Sequence, residues 1–347
     1  MCRYTFPIKV VGWATAAMLS SPACMAQAAQ NGNAQPELQR VERLCFFEPT
    51  YFAWGHSKGD DNAWRVHYSF SYLLNPAPIQ ADKVPAGEGG GTTLSCNSRR
   101  SSAEPNKVSW DVFFKMTGEF DFYAGTRDSG PVINRMSNPG LHARRLFTKG
   151  DRQNVWWLNW LDVTAEHRSD GQVTEVRSAA EAERAQQAYD KHDYTYFDGV
   201  SRGSNYTTLA AQWSREFDDA HDNKVRVHAS VKKYWTRDSQ VTWGPKANQG
   251  LAVSDYDRVR ASLMWSRKGA GCFSGKANDP IEASAEWVLG DNGLKTQSLN
   301  LDFMYPCRVA DWELPLYVRY HVGPMNTLSN YTQFVQAYWV GLKFNTW

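Results

Sequence analysis

His167 and Ser169 stand two residues apart at the end of tract 154–169, which alternates apolar and polar residues. An imidazole beside a hydroxyl is the minimal pair for nucleophilic catalysis: the nitrogen takes the proton and the oxygen attacks an electrophilic centre. In a strand, period two puts both side chains on one face, with Cα atoms roughly 6.5–7 Å apart. That face also carries Leu161, Val163 and Ala165, while Asp162, Thr164 and Glu166 take the other. The reactive pair therefore projects from an apolar surface. Catalysis also needs a third group to fix the imidazole tautomer. Tract 205–217 opens with Asn205, followed on the same face by Thr207, Leu209, Ala211 and Trp213. Asn205 thus begins the neighbouring strand on the face that bears His167, and its amide oxygen can accept the second imidazole N–H. A neutral amide stabilises an imidazolium less than a carboxylate does, which leaves room for a cation to assist at the oxyanion.

These residues need strands to hold them, and alternation runs almost throughout the chain. Residues 64–74 place Trp64, Val66, Tyr68, Phe70 and Tyr72 against Arg65, His67, Ser69 and Ser71. Residues 108–122, 281–289 and 294–305 repeat the pattern, the last two joined by Gly290-Asp291-Asn292-Gly293, a tight hairpin turn. Further strands are expected at 50–57, 141–149, 154–169, 205–217, 224–235, 255–266, 313–321 and 331–345. That makes about twelve antiparallel strands, the even number typical of single-chain bacterial barrels. Residues 178–189 are helical in character and lie within a loop, and 75–106, rich in Gly, Pro and Ser, reads as a flexible connection.

A formal charge of +2 over 347 residues gives no reason to expect nucleic acid as a partner. No internal apolar run reaches the ~18 residues a membrane-spanning helix needs. Mean hydropathy is −0.56, yet aromatic residues make up 14 % of the chain. This combination suits a β protein that shows apolar residues only at alternate positions. Alternation alone fits a soluble sandwich as well as a barrel. The N-terminus favours the barrel: Arg3 and Lys9 precede a run of apolar and small residues, and Ala26-Gln27-Ala28 offers a cleavage site, the form of a secretory signal. The expected organisation is a signal peptide at 1–28, a periplasmic segment at 29–49 and a transmembrane β-barrel at 50–347 with an extracellular insert at 170–204. Beyond the signal, Cys45, Cys96, Cys272 and Cys307 remain. With strands alternating up and down, all four fall at one end, and the pairs Cys45–Cys96 and Cys272–Cys307 are expected.

The run His-x-Ser-Asp-Gly at 167–171, followed by Ser-Arg-x-x-Asn at 201–205 opening the next strand, resembles the outer membrane phospholipase A family. Similarity extends from about residue 50 to the C-terminus, through the strand at 64–74, Ser129-Gly130-Pro131 and the ending PLYVRYHVGPMNTLSNYTQFVQAYWVGLKF. The resemblance implies Ser169 as nucleophile, His167 as general base and Asn205 as its orienting partner, acting on acyl esters of membrane glycerophospholipids. It implies dependence on calcium held by Ser201, Gln172 and Ser129, and a reversible homodimer in the bacterial outer membrane. The sequence departs from the family in a long insert at 173–200, and in Glu166, Asp170 and Ser204. The alternatives are a passive outer-membrane channel and another lipid-modifying barrel hydrolase, such as a lipid A deacylase.

Overall fold

The computed structural model describes residues 43–58, 61–75, 109–127, 132–147, 154–170, 179–191, 193, 196, 198–217, 223–235, 252–267, 280–309, 312–328 and 331–344. The expected signal peptide, nearly all of the 75–106 connection, Ser129, Gln172, Cys96 and Cys272 lie outside these residues.

The alternating tracts form strands β1 (Leu44–Phe46), β2 (Tyr51–Ser57), β3 (Ala63–Leu73), β4 (Ser109–Phe122), β5 (Val132–Leu146), β6 (Trp157–Asp170), β7 (Arg202–Glu216), β8 (Lys224–Tyr234), β9 (Val259–Arg267), β10 (Ile281–Gly290), β11 (Gly293–Val309), β12 (Trp312–Gly323) and β13 (Val335–Lys343). Each pairs antiparallel with its chain neighbour from β2 to β13, and β13 pairs with β2 to close the sheet. The short β1 pairs with the last residues of β3, beyond the part that β2 covers, so β1 extends the β2 stave. The result is a closed antiparallel barrel of twelve staves. Closure leaves no unpaired sheet edge, which a strand structure in hydrocarbon requires.

Burial settles which way the faces point. Arg65, Lys115, Asp121, Arg144, Asp162, Glu166, Lys232, Glu282 and Lys343 are buried, while Phe52, Trp110, Leu141, Val163, Leu209, Leu263, Phe303 and Val340 are exposed. A soluble sandwich has the reverse arrangement. Here the charges line the inside, where they are paired. Arg65 donates to both oxygens of Asp121 at 2.7 and 2.8 Å, Arg144 pairs with Asp162 at 2.7 Å, and Lys343 pairs with Glu282. Buried charges survive only with such partners.

Residues from outside the strands enter the lumen at both ends. At the end away from the β6–β7 connection, Phe47 turns inward to lie 5.4 Å from the Phe113 ring and 5.3 Å from His142, and Glu48 approaches Lys115 at 3.5 Å. At the β6–β7 end sits helix α1 (Ala179–Lys191), whose Ala, Glu, Arg and Gln content favours a helix. Its Ala185 and Ala188 pack with the inward-facing Tyr206 and Tyr234 and with Val253, Tyr256, Leu328 and Tyr331. The insert is thus folded onto the barrel mouth.

The expected strands match with instructive differences. β5 begins at Val132 instead of 141. Asn134, Pro139 and Gly140 read as breakers in isolation, but the sheet absorbs them. Asn134 adopts a φ of +52°, and Gly140 leaves room for Glu166, whose Cγ would lie 2.8 Å from an added Cβ. β9 begins at Val259 because Val253–Asp255 forms a 3-10 turn. β13 begins at Val335 because Tyr331 is drawn into the cluster around α1. The β10–β11 turn is as expected: Gly293 has φ +61°, and a Cβ on Gly290 would meet the Asp255 carbonyl oxygen at 1.7 Å. Cys45 and Cys307 are both disulfide-bonded.

Candidate active site

Along the upper half of β6, exposure alternates residue by residue. Leu161, Val163, Ala165 and His167 face outward, and Trp160, Asp162, Thr164, Glu166 and Asp170 are buried inside. Ser169 follows the outward series. A register shift between Leu158 and Trp160 sets this phase, so the strict alternation expected from 154 onward holds only beyond the bulge.

Antiparallel pairing with β7 puts Asn205 directly opposite His167 and Gly203 directly opposite Ser169. His167 Nδ1 and Asn205 Oδ1 are 2.8 Å apart. A carboxamide oxygen only accepts, so Nδ1 carries the proton and Nε2 is left with its lone pair as a base. Gly203 fixes the ring's position relative to the serine. A Cβ added there would lie 3.5 Å from His167 Cε1 and 3.5 Å from Ser169 Cβ. The imidazole therefore leans along the strand over Gly203, toward Ser169, and the glycine keeps the space between them open. Three side chains that the sequence placed on one face are brought together on it.

The inward residues of the same strand act as its anchor. Glu166 accepts from Tyr206 Oη at 2.9 Å and from Thr164 Oγ1 at 3.0 Å, and approaches Lys115 Nζ at 3.4 Å. Arg168 points inward between His167 and Ser169 and lies 3.6 Å from Asp257. Asp257 precedes β9 and is fully buried. Burial opposes its ionisation, but Arg260, Lys232 and Arg168 hold its carboxyl below the usual carboxylate range. Lys232 and Arg260 contact it at 2.7 and 2.8 Å.

Beside His167 and Asn205 the outward wall is indented. Phe114, Pro139, Leu141, Ala165, His167, Asn205 and Trp235 line an open apolar groove of about 250 Å³. Trp235 is fixed by its indole N–H, which donates to Thr207 Oγ1 at 3.0 Å, and by its backbone N–H, which donates to the Asn205 carbonyl. Local sequence gave no sign of this groove, because its residues come from five strands or strand ends whose juxtaposition depends on register.

Among the residues expected to hold metal, Ser201 lies at the β6–β7 end, where its hydroxyl donates to the Asp170 carbonyl oxygen at 3.2 Å. Ser129 and Gln172 are outside the described residues. Among the described residues, no cluster of three or more His, Cys, Asp or Glu side chains could hold a metal.

Outer membrane phospholipase A from Escherichia coli matches this structure with a TM-score of 0.50 at 13 % identity, over 87 % of this chain and 98 % of that one. This is an outer membrane phospholipase A-like fold. The Salmonella typhi outer membrane phospholipase dimer with bound calcium aligns with a TM-score of 0.49 at 12 % identity, over 87 % of this chain and 92 % of that one. No protein-family model and no curated protein sequence matches the chain. The phospholipase A-like barrel is thus shared at the level of fold.

Proposed function

We propose that this barrel is an outer-membrane phospholipase that hydrolyses acyl esters of glycerophospholipids with Ser169, His167 and Asn205. The observation that carries the reading is the outward-facing His167–Asn205 hydrogen bond, with the imidazole leaning over Gly203 toward Ser169. A passive barrel has no use for a base fixed in one tautomer on its lipid-facing wall. The ion pairs, Phe47 and α1 that occupy parts of the lumen also argue against a channel.

In the first step Ser169 Oγ bonds to the ester carbonyl carbon, and its proton passes to His167 Nε2. The carbonyl π electrons move onto oxygen. The resulting imidazolium keeps its Nδ1–H on Asn205 Oδ1, so the ring cannot rotate away. Collapse re-forms the carbonyl and breaks the bond to the glycerol oxygen, which takes the proton from Nε2. Water then repeats the sequence on the acyl-serine and frees the fatty acid. The groove lined by Phe114, Leu141 and Trp235 accepts an acyl chain without taking it out of an apolar environment.

The oxygen donors at this end of the barrel are of the type a hard cation takes. The Ser201 hydroxyl and the Asp170 carbonyl are oxygen donors 3.2 Å apart at the β6–β7 end, two residues or fewer from Ser169 in sequence or register. We assign calcium to Ser201, with Gln172 and Ser129 as the further ligands implied by the family resemblance. Calcium when bound would supply positive charge for the oxyanion. The same resemblance supports a reversible homodimer that joins through this outward face.

Fatty-acid release from phospholipid–detergent micelles, with calcium and then with EDTA, tests the reading. The parent releases fatty acid with calcium and stops with EDTA, and Ser169→Ala is inactive. A folded barrel that releases none under either condition contradicts it.

A further inference from the structure

The nucleophile has a second neighbour, on the side away from Asn205. Register pairs across five strands put Tyr68, Gly118, Ser137, Ser169 and Gly203 in one row on the outward wall. Ser137 is directly opposite Ser169 on β5, and side chains so placed have Cβ atoms about 4.5–5.5 Å apart. Beyond Ser137 the row is again small: Gly118 is covered by the Tyr68 phenol, whose oxygen would lie 2.3 Å from a Cβ added to that glycine. The Tyr68 hydroxyl thus lies across β4, on the side of Ser137.

The two flanks of Ser169 differ in chemistry. On the β7 side the imidazole occupies the space over Gly203, so the nucleophile's proton leaves in that direction. That leaves the β5 side of Ser169, where Ser137 stands, open to the carbonyl oxygen of a bound ester. There the Ser137 hydroxyl makes only a contact of 4.0 Å to Met116 Sδ, a weak acceptor. A hydroxyl on an apolar wall with so poor a partner is a donor held in reserve.

We propose that Ser137 is a further catalytic residue, whose hydroxyl donates a hydrogen bond to the oxyanion formed when Ser169 attacks an acyl carbonyl. This rests on the esterase reading above. Attack forms the Ser169 Oγ–carbon bond and sends the π pair to oxygen. Ser137 keeps its own proton and shares it with that oxygen only while the tetrahedral species lasts. Its effect is therefore confined to the transition state, and it appears in kcat and not in KM.

The test is steady-state hydrolysis of a phospholipid in calcium-containing micelles by the parent, Ser137→Ala, Ser137→Thr and Ser137→Val, each checked as a folded barrel by heat-modifiable gel mobility. Loss of one such donor lowers kcat about 10²-fold at unchanged KM. That loss is expected for Ala and Val, with Thr restoring most of the rate. Thr and Val have the same shape and differ in the hydroxyl alone, so their comparison stands even if Ala fails to fold. An active parent with Val as fast as Thr overturns the role of Ser137 and leaves the esterase reading intact. An inactive parent ends both.

Discussion

In the proposed mechanism His167 is a base beside hydrocarbon, and such a base must be held in one tautomer by its own protein. Asn205 meets that need with a single hydrogen bond of 2.8 Å to His167 Nδ1. Asn205→Ala removes the acceptor, and a lost hydrogen bond of about 1–3 kcal/mol corresponds to a fall in kcat of roughly 5- to 150-fold. Initial rates at saturating lipid check this, and a variant within twofold of the parent would show that the amide does not orient the ring. Gly203→Val tests the space between base and nucleophile. The added Cβ is tolerated at 3.5 Å, but the two methyl groups beyond it press on the imidazole and on Ser169. Fatty-acid release should fall far more for Gly203→Val than for Gly203→Ala. That His167, Ser169 and Asn205 share one face was legible in the sequence, because period two sets which residues do so. Gly203 and Ser137 were not, because their roles depend on which residue of the next strand lies opposite.

At the scale of the element, β6 is positioned by charges on its hidden side. Arg168 ties its upper end to Asp257, which Lys232 and Arg260 also grip. Asp257→Asn leaves these cations without their carboxylate, and breaking a buried charge cluster in this way costs about 3–5 kcal/mol. A lower urea midpoint in detergent micelles is the expected result. The pH dependence has a definite sign. The folded state holds the Asp257 carboxyl below its usual range, whereas the unfolded chain releases that proton near pH 4. Stabilisation by ionised Asp257 is therefore present above about pH 4 and is lost as the pH falls below that value. Asp257→Asn should flatten this acid loss, as thermal unfolding between pH 3 and 7 would show. The strands themselves were readable from alternation, though not all to their full length. The expected strand at 141–149 missed the first half of β5, where Pro139 pairs with Met116 and Gly140 makes room for Glu166. The helix was also readable, from its composition, but not its seat on Tyr206 and Tyr234, which requires the closed barrel to exist first.

Among the described residues the barrel is charged within and apolar without, the arrangement that the proposed reaction on a membrane-held substrate needs. The ion pairs, Phe47 and α1 within the lumen lead to a plain expectation: the reconstituted barrel passes no ions across a planar bilayer at moderate voltage. Steady conductance from the folded parent would mean that α1 and Phe47 do not seal it. Closure was only partly legible. The form of an export signal favoured a barrel over a sandwich, but alternation is common to both. The distinction rests on β13 pairing with β2 and on the burial of the charged face.

The most direct test of the account is covalent labelling of the folded barrel in calcium-containing micelles by a long-chain fluorophosphonate, followed by peptide mass spectrometry. Such a reagent modifies a serine only where a base activates it and an apolar groove receives its tail. The account predicts one label, on Ser169, that is lost in His167→Ala. A parent left unlabelled, or labelled at another residue while Ser169 stays intact, would contradict it.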